Sequence, residues 1–147
     1  MNSSLIYLTQ TDTTVGFLSQ NDKKLSLAKK RDQKQKILQV VDKYSTLKKL
    51  VRIPPKHKKF IRHAKNTSII YPNKLAFRVV SRKSNHQNFL QKFNTMYSTS
   101  ANRTKHKFDE VYAKENADVC IYTKNSFIEM KSSSIYKINS VKVKKIR

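Results

Sequence analysis

The stretch TQTDTTVGF, Thr9 to Phe17, carries four threonines and ends with the single glycine of the chain, just before its phenylalanine. It follows LIYL, Leu5–Leu8, a short apolar run that reads as a strand entering a polar turn. A second stretch of the same kind, STSAN (Ser98–Asn102), follows the β-rich run TMY. Turns of this sort present backbone N–H groups and short hydroxyl side chains, which together can surround a carboxylate or phosphate. Having only one glycine also excludes two nucleotide sites. A Walker A loop and a dinucleotide-binding fingerprint each need several glycines for close backbone approach to phosphates.

Outward from these turns, the chain reads as alternating short strands and helices. Asp22–Arg31 (DKKLSLAKKR) has helix formers throughout, with Leu25 and Ala28 on one face. Lys36–Val41 reads as a largely buried strand, and Tyr44–Val51 as a short helix with Ser45 as its expected N-cap. Pro54 and Pro55 break the chain and start a new helix. TSIIYP and KLAFRVV, joined through a YPN turn, predict a hairpin. Asn85–Asn94 places Phe89, Leu90 and Phe93 on one helical face. FDEVYAK predicts a helix, DVCIY a strand, and the closing SSSIYKINSVKVKKIR a strand pair. The expectation is one α/β domain over residues 1–147, a twisted mixed sheet flanked by helices.

Lys and Arg number 32 against 9 Asp and Glu, a formal charge of +23. Such a field attracts polyanions, above all nucleic acid or nucleotides. Hydrophobic residues, 37% of the chain, are spread in runs too short for a membrane-spanning helix. The start MNSSLIYL lacks the basic and apolar regions of a signal peptide. The lone Cys120 cannot form an internal disulfide and suits a cytoplasmic setting. The four histidines lack the paired spacing of a metal site, so no structural metal is expected.

The motifs, taken in order, resemble those of the YrdC-like threonylcarbamoyl-AMP synthase family. TDTTVG is similar to that family's Thr-Asp-Thr-Val-Tyr-Gly strand end, and KKR (Lys29–Arg31) to its Lys-x-Arg-Pro. LAFRVV resembles its Ala-Val-Arg-x-Pro strand, and STSAN matches its Ser-Thr-Ser-Ala-Asn letter for letter. SSSIYKI resembles its Ser-Thr-Ile-Val-Asp segment. The resemblance runs from about Leu5 to Arg147. It implies a YrdC-like fold with an open cavity, here beginning at the first strand without the family's N-terminal helix.

The implied activity is ATP-dependent nucleotidyl transfer. L-threonine, bicarbonate and ATP, with Mg2+, give threonylcarbamoyl-AMP and pyrophosphate for tRNA modification. Other threonylcarbamoyl-transfer proteins are implied as partners, with tRNA or double-stranded RNA as a further one. The chemistry brings an anionic carbamate to an anionic phosphate. Unit charges 4 Å apart repel by about 4 kcal/mol at an effective dielectric near 20. The site must therefore supply cations and N–H donors in place, and it requires no acid–base side chain. By resemblance, Thr11, Arg78, Ser98 and Ser133 bind threonine, Arg78 holding its carboxylate. Lys29, Arg31, Ser100, Asn102 and Arg147 bind the nucleotide.

The chain departs from the family pattern at several positions. Thr9-Gln10 replaces Tyr-Pro, Val15 replaces the tyrosine before glycine, and Asp32 replaces the proline after Arg31. Val40 stands where the family has a histidine near the threonine pocket, and Lys74 where it has a hydroxyl; both are expected at the pocket. Two other functions fit the residues. One is a non-catalytic RNA-binding module on the same fold, motivated by KKLVRIPPKHKKFIRHAK and RTKHK. The other is a carbamoyl-handling subdomain of a larger maturation machine.

Overall fold

The computed structural model describes all residues, 1–147. Strands β1 (Tyr7–Gln10), β2 (Val15–Ser19), β3 (Leu38–Val41), β4 (Thr67–Ile70) and β5 (Ala76–Val79) precede β6 (Thr95–Ser100) and β7 (Val119–Ile121). β8 (Ser134–Ile138) and β9 (Val143–Lys145) close the chain. Helices are α1 (Asp22–Ala28), α2 (Tyr44–Leu50), α3 (Lys58–His63, entered through a 3-10 turn at Pro55–His57), α4 (Asn85–Leu90) and α5 (Glu110–Glu115). All nine strands join one mixed sheet in the order β7-β1-β2-β6-β3-β5-β4-β8-β9.

Strand alternation separates the two faces of this sheet. On one face, Ile6, Leu8, Val15 and Phe17 pack with Leu25 of α1 and Tyr112 of α5. Beside them, Val41, Ile69 and Phe77 pack with Leu47 of α2 and Ile61 of α3. On the other face, Tyr7, Leu18, Val40 and Met96 are covered by Phe89, Leu90 and Phe93, in and just after α4. That single helix leaves the remainder of its face open. The expected apolar face of Phe89, Leu90 and Phe93 is thus buried, and the YPN hairpin and terminal strand pair form as β4–β5 and β8–β9.

Three sequence expectations are corrected. The first strand lies at Tyr7–Gln10 rather than Leu5–Leu8. Residues Val15–Ser19, of which Val15–Phe17 read as the end of a turn, form β2, buried along its whole length. A strand buried on both faces shows no polar alternation, which hid it. Ser45 is not the N-cap of α2. The cap position is Lys43, with no side-chain bond, and Asp42 accepts the Thr46 hydroxyl at 2.5 Å, fixing the helix entry further upstream. Helices α1, α4 and α5 are capped by short polar side chains: Asn21, Ser84 and Asp109 each accept backbone N–H of the first turn.

Candidate ligand cavity

The exit of α1 shapes one side of the open face. Lys30 takes a positive φ of 52°. The N–H of Arg31 reaches the Ser26 carbonyl at 2.9 Å while that of Lys30 reaches Leu27 at 2.9 Å. This is the paired closure of a helix ended by a left-handed residue. It turns Lys29 inward, where it is buried, and brings Arg31 to the cavity wall. The Lys29 ammonium donates to the Ser100 carbonyl at 2.9 Å and to the Asn102 side-chain oxygen at 2.7 Å, and it also meets the Asn102 carbonyl. Burial first, and then the charge of Arg31, pull Lys29 down to about 8.

The Thr9–Phe17 stretch is a hairpin between β1 and β2 whose turn is tied by its own threonines. The Thr11 hydroxyl accepts the N–H groups of Thr13 and Thr14 at 3.2 and 3.1 Å and donates to the Thr14 carbonyl. Gly16 has no unusual φ; its role is steric. A Cβ there would stand 3.0 Å from the Thr11 methyl and 3.2 Å from the Thr99 carbonyl oxygen.

Arg78 comes from the middle of β5 and is only 4% exposed. One guanidinium nitrogen donates to the Thr13 hydroxyl at 3.0 Å, and another lies 3.8 Å from the Asp12 carboxylate. Asp12 is itself held by the Ser81 N–H at 3.1 Å and by His86 Nδ1 at 3.1 Å. Burial alone would raise the Asp12 carboxyl. The His86 hydrogen bond, the charges of Arg78 and His86 and the Ser81 N–H outweigh it, holding the group well below the usual carboxylate range. Burial pushes Arg78 down, Asp12 opposes that shift, and Arg147 adds like-charge repulsion.

These elements enclose a cavity of about 410 Å3 on the open face of the sheet. Thr11, Arg78, Ser98 and Ser133, assigned by resemblance to threonine, all line it. So do Arg31, Ser100 and Arg147, from the nucleotide set. Lys29 and Asn102 do not; bonded to each other, they brace the wall from behind. The Arg147 guanidinium is anchored on the Ser133 carbonyl at 2.8 and 3.1 Å.

Neither Val40 nor Lys74 belongs to the cavity. Val40 is fully buried beneath α4, and Lys74 is exposed in the β4–β5 turn with a φ of 65°. Sequence reasoning missed Thr13, Ser68 and Lys36 on the lining, and Asp12 with His86 behind it. Ser68 shares a buried hydroxyl–hydroxyl bond of 3.0 Å with Ser133. A signal for Asp12 was present: a buried arginine needs a counter-charge, and Asp12 is the one acid in the threonine motif. The lining holds the cations Arg31, Lys36, Arg78 and Arg147 and no Asp or Glu, so it suits an anionic ligand with one group at the buried Arg78 and another toward the rim.

No family model matches the chain, and no curated protein matches it in sequence. Solved structures do. The fold defines an α/β protein with one open, cationic sheet face, and that architecture is the YrdC-like fold. The chain superposes on Pyrococcus abyssi Sua5 (P. abyssi) with a TM-score of 0.80 at 12% identity, covering 98% of this chain and 52% of that one. A second P. abyssi Sua5 structure, complexed with L-threonine, gives 0.75 at 12% identity, with 98% and 50% covered. Escherichia coli YciO (E. coli) gives 0.76 at 11% identity, with 98% and 82% covered. The chain spans about half the length of the Sua5 structures it matches.

Proposed function

We propose that this chain is an L-threonylcarbamoyladenylate synthase, joining L-threonine, bicarbonate and ATP with release of pyrophosphate. Arg78 carries the proposal: a nearly buried guanidinium, held by Thr13 and Asp12, at the floor of a hydroxyl-lined cavity. A planar, pre-oriented guanidinium is the natural receptor for an amino-acid carboxylate. The likeness of the fold to a Sua5 structure complexed with L-threonine supports the same ligand.

With the carboxylate on Arg78, Ser98 faces the bound amino acid. The threonine amine condenses with bicarbonate to a carbamate, releasing water. A carbamate oxygen then attacks the α-phosphorus of ATP, and the bond to pyrophosphate breaks. Arg31, Lys36 and Arg147 line the same cavity and offset the charge on the phosphates, with Lys29 fixing the Ser100–Asn102 wall. No group of three or more His, Cys, Asp or Glu side chains is placed to hold a metal. Mg2+ would enter with ATP as the Mg–ATP substrate, its charge offsetting that of the phosphate oxygens. The threonylcarbamoyl group would pass to a tRNA adenosine through partner proteins.

The test is pyrophosphate release by purified protein supplied with Mg–ATP and bicarbonate, with and without L-threonine. Release that requires threonine supports the proposal. Absence of release, beside an active control enzyme, refutes it.

A further inference from the structure

Helices α2 and α3 lie on the sheet face opposite the cavity, through Leu47 and Ile61 packed on Val41, Ile69 and Phe77. Phe60 of α3 also meets Tyr136 of β8 edge-on, ring centroids 5.3 Å apart. The outer side of this pair forms a shallow cleft of about 400 Å3 lined by Tyr44, Lys48, Lys58, Lys59, Arg62 and His63. The Lys48 ammonium sits 5.9 Å and the Arg62 guanidinium 5.4 Å from the centre of the Tyr44 ring, one cation from each helix. None of the four cations forms a salt bridge. No Asp or Glu occurs between Asp42 and Asp109.

From this cleft we infer a second anion site, independent of the cavity, that docks the phosphodiester backbone of a nucleic acid. Converged cations without counter-charges repel one another, and a line of phosphates offsets that repulsion while releasing its own counterions. The Tyr44 face is already occupied by Lys48 and Arg62, so it steadies the cations and does not stack on bases. The site therefore reads backbone charge and not sequence. A lipid surface fits less well, because none of the large exposed apolar side chains lines the cleft.

The test is fluorescence anisotropy with a labelled tRNA transcript and a DNA duplex of similar length, titrated at several salt concentrations. Anionic phospholipid vesicles serve as a third probe. The Lys58→Glu/Lys59→Glu/Arg62→Glu variant should bind tRNA at least tenfold more weakly. Its log–log salt slope should fall by about 2 to 3, one per lost phosphate contact. A milder Lys48→Ala/Arg62→Ala variant should weaken binding several-fold with an unchanged thermal melt, separating the site from any folding defect. Equal weakening for tRNA and duplex assigns the site to the shared backbone, and a larger loss with tRNA assigns it to RNA. The inference is overturned if the wild type binds neither nucleic acid, or if it binds vesicles but not nucleic acid. It is equally overturned if a Lys142→Glu/Lys144→Glu/Lys145→Glu control, on β9 and the residue before it, loses as much affinity as the cleft variants.

Discussion

Replacing Asp12 with Asn keeps the side chain's shape and removes the only counter-charge of Arg78. The pair lies 3.8 Å apart, each side chain 5% exposed. At an effective dielectric near 20, unit charges at that separation attract by about 4 kcal/mol. Breaking a buried pair from one side typically costs about 3–5 kcal/mol, because the other charge stays behind. The amide oxygen can still accept from the Ser81 N–H, which turns the NH2 toward Arg78 and His86, so the loss falls on both partners. Asp12→Asn should therefore destabilise the protein by about 3 kcal/mol. With a urea slope near 2 kcal/mol/M, the midpoint should fall by about 1.5 M.

The pH dependence has a definite sign. The Asp12 carboxyl is held below its unfolded value of about 4. Its stabilisation is complete above that pH and is lost as pH falls toward the folded value. The gap between wild type and variant should thus be constant from pH 7 to pH 5 and narrow below pH 4. Urea melts at those pH values measure it. A loss under about 1 kcal/mol at pH 7, or a gap that widens in acid, would refute the assignment of Asp12 as the counter-ion.

Other perturbations probe separate parts of the site. Thr13→Val removes the hydroxyl that accepts from Arg78 and should cost about 1.5–3 kcal/mol, with Thr13→Ser close to wild type in the same melts. Gly16→Ala forces its Cβ against the Thr11 methyl and the Thr99 carbonyl, an overpacking cost of about 1–3 kcal/mol readable as a lowered Tm. Arg78→Lys should weaken L-threonine binding about tenfold or more in calorimetry, since a point charge replaces a two-pronged donor. Because Lys29 is drawn down to about 8, nucleotide affinity should decline as pH rises through that value. Lys29→Arg should keep affinity flat there; an unchanged decline would place its cause elsewhere.

Much of the architecture was legible because local signals agreed with the fold. The YPN turn, the apolar trio Phe89, Leu90 and Phe93, and the alternation of the C-terminal strands each report one element directly. β2 was not legible, because its five buried residues carry no polar phase and include a glycine. In the site, STSAN and Arg78 announced themselves through residue type: hydroxyls at a strand end and a cation within an apolar strand. Lys29 and Asn102 were drawn to the ligand by their motifs, whereas the left-handed exit at Lys30 turns Lys29 into the wall. His86 was invisible because its partner Asp12 lies in a distant turn. Val40 shows the reverse: its position suggested the pocket, but strand phase puts it beneath α4.

The most direct measurement supplies the protein with Mg–ATP, L-threonine and 13C-bicarbonate and analyses the products by mass spectrometry. The expected product is an adenylate carrying both threonine and one 13C label, formed only when all three substrates are present and lost in Arg78→Ala. Its absence with wild-type protein that binds both threonine and ATP would contradict the proposed reaction.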